Sequence, residues 1–105
     1  MTPDETRYRV IKAIEANPEC NQRELAQALG MALGKTNYAL KALIEAGMVR
    51  ADRFAKSDHK LGYLYVLTPS GVAERVKLAA ALLQRKQDEY RALEAEIERL
   101  KSEVK

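Results

Sequence analysis

The stretch "NQRELAQALGMALGKTNYALKALIEAG", residues 21–47, carries two apolar stripes at helical spacing, with one glycine between them and one behind. Asn21-Gln22-Arg23-Glu24 has the form of a capping box, in which the N-cap side chain and a glutamate three residues later satisfy each other's orphan backbone donors. It opens a short helix buried through Leu25, Ala26 and Leu29 and stopped at Gly30. Leu33, Thr36, Leu40, Leu43 and Ile44 then mark the inner face of a second helix, roughly 33–46, that ends at Gly47. Two short helices joined by a tight turn containing glycine predict a helix-turn-helix.

The flanks extend this unit on both sides. Upstream, Thr2-Pro3-Asp4-Glu5 supplies an N-cap, a proline at the first helical position and a capping glutamate. The helix they open is buried through Val10, Ile11 and Ile14, and "NPEC" at 17–20 ends it. Downstream, "MVRADRF" (48–54) and "LGYLYVL" (61–67) read as strands, with Tyr63, Tyr65 and Leu67 alternating against Leu64 and Val66. The polar "AKSDHK" between them makes a hairpin with a charged tip. Three helices, a strand, a charged loop and a strand are the order of a winged helix-turn-helix.

From Thr68 as N-cap and Pro69 as first helical residue, the chain has no further proline, and no glycine after Gly71. Val72, Val76, Ala79, Leu83, Lys86, Tyr90, Leu93, Ile97, Leu100 and Val104 step by four and three, and all but Lys86 are apolar. That is a heptad pattern sustained along a helix of about 55 Å. A domain of some 65 residues cannot bury so long a stripe, so a second copy is the simplest partner. Val76, Ala79, Leu83, Tyr90, Leu93, Ile97, Leu100 and Val104 are the expected dimerisation residues. Lys86 falls at a d position, where a polar residue costs stability and can set register. In a parallel pair Glu89 would face Glu94, which repels, and Glu96 would face Lys101, which attracts, so charge leaves the orientation open. The expected division is residues 1–68 as the winged helix-turn-helix domain and 69–105 as a long helix for dimerisation.

Composition bounds the function. At 105 residues, 47% hydrophobic and 31% charged, the chain is one folded domain with an arm, and no apolar run approaches the roughly 20 residues of a membrane span. The start, "MTPDETRYRV", lacks the apolar core of a signal peptide, so the expected location is the cytoplasm. A lone Cys20 and a lone His59 offer no metal-ligand spacing, and neither a phosphate-binding glycine fingerprint nor a nucleophile elbow occurs. An enzyme is therefore not expected, nor a metal, a cofactor or a membrane partner. The net charge of +3 is concentrated between residues 35 and 60, where Lys35, Lys41, Arg50, Arg53, Lys56 and Lys60 stand against three acids.

Projected at about 100° per residue, the second helix of the motif turns Gly34, Tyr38, Lys41, Ala42 and Glu45 away from its apolar face, with Lys35 and Asn37 on the borders. The first turns of such a helix enter the major groove, where Asn pairs with adenine and Lys donates to guanine or phosphate. Gly34 permits close backbone approach. Gln22 and Arg23 stand where the preceding helix crosses the DNA backbone. Arg53, Lys56, His59 and Lys60 are the cations and phosphate donors of the hairpin tip. A solvated polar face would show the same spacing. The coincidence of turn, hairpin and basic balance favours double-stranded DNA as the partner.

"QRELAQALGMALGKTNYALKALIEAGMV" resembles the helix-turn-helix of bacterial MarR-type winged-helix regulators, and "KLGYLYVLTPSG" resembles the wing strand that leads into their long C-terminal helix. Together with "RKQDEYRALEAEIERLKSEV", these segments are similar to the short regulators called EPS-associated, encoded near exopolysaccharide or capsule genes. The resemblance covers residues 6–104 and implies a homodimeric, sequence-specific transcriptional regulator. It implies a reading face of Lys35, Asn37, Tyr38 and Lys41 and a wing of Arg53, Lys56, His59 and Lys60. Two departures stand out. Ala32 replaces the Ser or Thr that usually caps the recognition helix, and the chain is shorter than most MarR-type proteins, so a small-molecule effector is left open. The competing reading is a winged-helix module that binds protein and is assembled through its C-terminal coiled coil.

Overall fold

The computed structural model describes residues 2–55 and 61–105. Its order is α1 (Pro3–Ala16), β1 (Glu19–Cys20), α2 (Gln22–Leu29), α3 (Leu33–Glu45), β2 (Val49–Ala55), β3 (Leu61–Leu67) and α4 (Pro69–Glu103). The architecture is mainly helical, with a small antiparallel sheet, a winged helix-turn-helix and a long C-terminal helix.

Local chemistry accounts for the helix boundaries. Thr2 caps α1 by accepting from the Glu5 backbone N–H at 3.1 Å. Asn21 and Glu24 form the reciprocal capping box of α2, at 2.7 and 3.0 Å. Gly30 and Gly47 take positive φ angles of 64° and 74°, the left-handed conformation that ends α2 and α3 at small steric cost only for glycine. At the end of α2 the Arg9 guanidinium donates to the Leu29 carbonyl at 2.7 Å, placing a cation on the negative end of the helix.

The expected hairpin is formed by β2 and β3, paired antiparallel from Val49 opposite Leu67 to Ala55 opposite Leu61, and a third strand joins it. The sheet has three strands in the order β1-β3-β2, because Glu19 and Cys20, read from sequence as the close of α1, pair antiparallel with Leu64 and Tyr63. The Tyr65 backbone N–H also donates to the Pro18 carbonyl at 3.0 Å. A two-residue strand is too short to show alternation, and only its neighbour makes it one. Cys20 is thereby buried in the core beside Tyr65.

The core gathers Val10, Ile11 and Ile14 of α1, Leu25 and Leu29 of α2, Ala39, Leu40 and Leu43 of α3, Val49, Tyr65 and Leu78. Each large aliphatic side chain buried this fully contributes about 1.5–3 kcal/mol. Thr36, also fully buried, satisfies its hydroxyl by donating to the Ala32 carbonyl at 3.0 Å. Tyr63 and Tyr65 stack with their centroids 5.7 Å apart. Leu33 and Ile44, expected on the inner face of α3, are each 37% exposed, and Ala39 takes their place in the core. The buried arc of α3 is centred on Thr36, Ala39, Leu40 and Leu43, which puts Leu33 and Ile44 at its rim.

The long helix α4 is clamped to this body at its start. Thr68 accepts from Gly71 N–H at 3.1 Å and donates its hydroxyl to the Gly47 carbonyl at 2.6 Å. Leu78 is buried, Arg75 pairs with Glu15 at 3.4 Å, and Arg85 donates to Thr2 Oγ1 at 3.0 Å, so α1 lies along the first half of α4. Beyond that, residues 86–105 are exposed along their whole length.

Two outcomes follow from this packing. A Cβ on Gly71 would lie 2.0 Å from the Met48 carbonyl oxygen, a backbone atom that cannot swing aside. Gly71→Ala should therefore lose about 1–3 kcal/mol or more of stability in urea unfolding. Burial, followed by the neighbouring Cys20 and Tyr63, raises the Tyr65 phenol to about 12 from 10.0. The fold favours the neutral phenol, so stability holds below pH 10 and falls as pH rises from about 10 to 12, by roughly 2–3 kcal/mol at most. Comparing unfolding midpoints at pH 9 and 11.5 checks it, and Tyr65→Phe should flatten the difference.

Candidate nucleic-acid interface

The Gly30 turn sets α3 across α2, and burial of Thr36, Ala39, Leu40 and Leu43 leaves the opposite side of α3 uncovered. Gly34, Tyr38, Lys41 and Glu45 form that outer ridge, and Tyr38 is 80% exposed. Lys41 and Glu45 pair loosely at 3.9 Å, so the carboxylate occupies the C-terminal half of the ridge. The N-terminal half of α3 carries one charged side chain, Lys35, together with the positive end of the helix dipole. Ala32 has N-cap backbone geometry, φ −60° and ψ 144°, but makes no side-chain capping bond. The first backbone N–H groups of α3 therefore stay open to an outside acceptor.

The two border residues lean to opposite sides. Lys35 joins Tyr38 and Ala42 in lining an open groove of about 420 Å³ whose far wall is Thr6 and Arg7 of α1. Arg7, held by Asp4, is thus a cation beside the ridge that sequence alone did not single out. Nothing in the local pattern of α1 reveals that it runs alongside α3. Asn37 is half-buried, and its Oδ1 is enclosed with no hydrogen-bond partner. A bidentate pair with adenine needs both amide atoms, so Asn37 must rotate before it can read a base in that way.

Gln22 and Arg23 are exposed at the first turn of α2 and share a depression of about 250 Å³ with Asn21, Leu33 and Tyr63. The starts of α2 and α3 are thereby neighbours, as backbone and base contacts from one motif require. Arg53 is placed by its backbone pairing with Tyr63 in the sheet. Lys56, His59 and Lys60, expected at the wing tip, lie outside the described residues. Arg50 is exposed on β2 and pairs with Asp52 at 3.3 Å. Among the described residues no group of three or more His, Cys, Asp and Glu is placed to hold a metal ion. No helix there is long and apolar enough to cross a membrane.

Residues 3–50 match the family model described as winged helix-turn-helix DNA-binding. No curated protein sequence matches the chain. Among solved structures, the PcaV transcriptional regulator of Streptomyces coelicolor, in complex with its natural ligand, is 20% identical with a TM-score of 0.62, over 94% of this chain and 74% of that one. A MarR family transcription regulator is 17% identical with a TM-score of 0.59, over 94% and 72% of the two chains. The oxidized form of MarR from E. coli is 24% identical with a TM-score of 0.58, over 79% and 57%. The fold is the one these regulators share.

If the outer ridge of α3 is free of structural duty, Lys35→Ala and Lys41→Ala should each change unfolding free energy by less than about 0.5 kcal/mol. Ala32→Ser should add about 1 kcal/mol, because the cap geometry already exists and only the oxygen is missing. Both are read by denaturant unfolding.

Proposed function

We propose that this protein is a homodimeric transcriptional regulator that binds double-stranded DNA in a sequence-specific manner. The observation that carries the reading is the outer ridge of α3: Gly34, Tyr38 and Lys41 have no packing role, the helix start has no side-chain cap, and Lys35 stands beside it. The match of residues 3–50 to a DNA-binding winged helix-turn-helix supports it. In this reading Lys35, Asn37, Tyr38 and Lys41 meet base edges. Gln22 and Arg23 hold phosphates, and the hairpin with Arg53, Lys56, His59 and Lys60 lies along the neighbouring backbone.

Residues 1–68 are the DNA-binding unit and 69–105 the dimerisation arm. The arm leaves Val76, Leu83, Tyr90, Leu93, Ile97, Leu100 and Val104 between 42% and 84% exposed, an apolar stripe that a second copy would cover. A dimer presents two reading helices to half-sites about 34–36 Å apart on a near-palindromic site. Regulation of exopolysaccharide or capsule genes is the target class, and it rests on the sequence resemblance alone. Several similar structures hold small ligands, PcaV among them, and an effector for this chain belongs to the same proposal without a named site.

Selection from a random duplex pool should yield a near-palindromic site that the protein prefers over random DNA. Replacing Lys35, Asn37 and Lys41 together by Ala should abolish that preference while circular dichroism and melting stay unchanged. Affinity for the selected site should fall linearly with salt on logarithmic axes, with a slope reduced by about one for each phosphate-binding cation removed. Weak DNA binding that ignores the triple substitution would instead indicate the protein-interaction module.

A further inference from the structure

We infer that the two α4 helices of the dimer run antiparallel, full length, in one register centred near residue 88. The inference rests on the dimeric reading above and adds orientation and pairing to it.

The register follows from what each position of the stripe meets. With Val72 opposite the partner's Val104, Val76 meets the partner's Leu100 and Ala79 meets the partner's Ile97. Leu83 then meets the partner's Leu93, and Lys86 meets the partner's Tyr90. Every member of the exposed stripe finds an occupant, and nothing overhangs. The one small member lies against a β-branched one, which is how facing layers fill space. The one charged member, Lys86, lies beside an aromatic ring, whose face attracts an ammonium group while its own Glu89 stays within reach at 3.4 Å.

A parallel pair sets each residue against itself. Ala79 would then leave a gap, Lys86 would confront the partner's Lys86 in the seam, and the repulsive contact of Glu89 with the partner's Glu94 would occur twice. In the antiparallel register the flanking charges are kinder. Arg75 lies beside the partner's Glu103 at both ends of the rod. The only like-charge contact is Glu89 with the partner's Glu89, on the axis, where each is already paired with its own Lys86 at 3.4 Å.

The body of each protomer also receives the other's helix end. Tyr8 and Lys12 of α1, with Arg75, Val76 and Ala79 of α4, line an open groove of about 220 Å³ alongside the first part of the stripe. The antiparallel register lays the turn holding the partner's Ile97 and Leu100 against this groove, whose rim is cationic. The opposing turn carries Glu96 and Glu103 of the partner subunit.

The test is a distance in the full chain. A spin label on Val104→Cys, with the buried Cys20 checked as unlabelled in the parent, should give a dipolar distance near 50 Å in the dimer. Ala79→Cys combined with Ile97→Cys should form a covalent dimer on oxidation, whereas Ile97→Cys alone should not. A label distance under about 20 Å, or efficient cross-linking of Ile97→Cys alone, overturns the antiparallel register and leaves the dimer standing. A monomer at micromolar concentration in sizing overturns both.

Discussion

The carbonyl of Met48 is the point on which the rest of the structure depends. It accepts a hydrogen bond from the Thr68 backbone N–H at 3.1 Å and sits where any side chain at position 71 would have to go. The Met48 N–H in turn donates to the Leu43 carbonyl of α3 at 3.0 Å, and Thr68 donates its hydroxyl to Gly47. The end of α3, the start of β2 and the start of α4 are therefore fastened together by these bonds. A shift of α4 is passed to α3 through backbone contacts, which cannot yield by changing rotamer as side chains do.

That constraint gives the molecule its division of labour. The body buries its apolar surface internally, from Val10 on α1 to Leu78 on α4. The far part of α4 buries nothing, with Tyr90 at 62% and Leu93 at 54% exposure. A helix of 35 residues held at only one end is stable in water chiefly through its own ion pairs, such as Lys86–Glu89, Arg91–Asp88 and Lys101–Glu98, each worth little. Its apolar stripe is left in contact with solvent. The charge of α3 is divided along its length: Lys35 stands at its uncapped start, and Lys41 pairs with Glu45 near its end.

Much of this was legible in the chain. The caps at Thr2, Asn21 and Thr68 and the stops at Gly30 and Gly47 depend on residues within four positions, so helix limits could be read from local chemistry. The absence of a cap at Ala32 was legible for the same reason. The stripe of α4 was equally plain, because a heptad needs no tertiary contact to be recognised. The site was legible only as a face: spacing separates Gly34, Tyr38 and Lys41 from Leu40 and Leu43, but it cannot say that Asn37 is half-enclosed or that Arg7 lies across a groove from Lys35.

Sequence by itself determined the four helices, the hairpin, their order and the apolar stripes of α3 and α4 in outline, because helix caps, turn glycines and apolar periodicity act over one or two turns of chain. Tertiary structure alone decided that Glu19 and Cys20 form a strand, that Ala39 rather than Leu33 or Ile44 completes the core, and that Gly71 must be glycine. Each of those is set by an atom far away in sequence: a β3 backbone partner, the rim of the α3 packing arc, and the Met48 carbonyl oxygen. Local pattern carries no record of such distances, since they exist only once the chain has closed on itself.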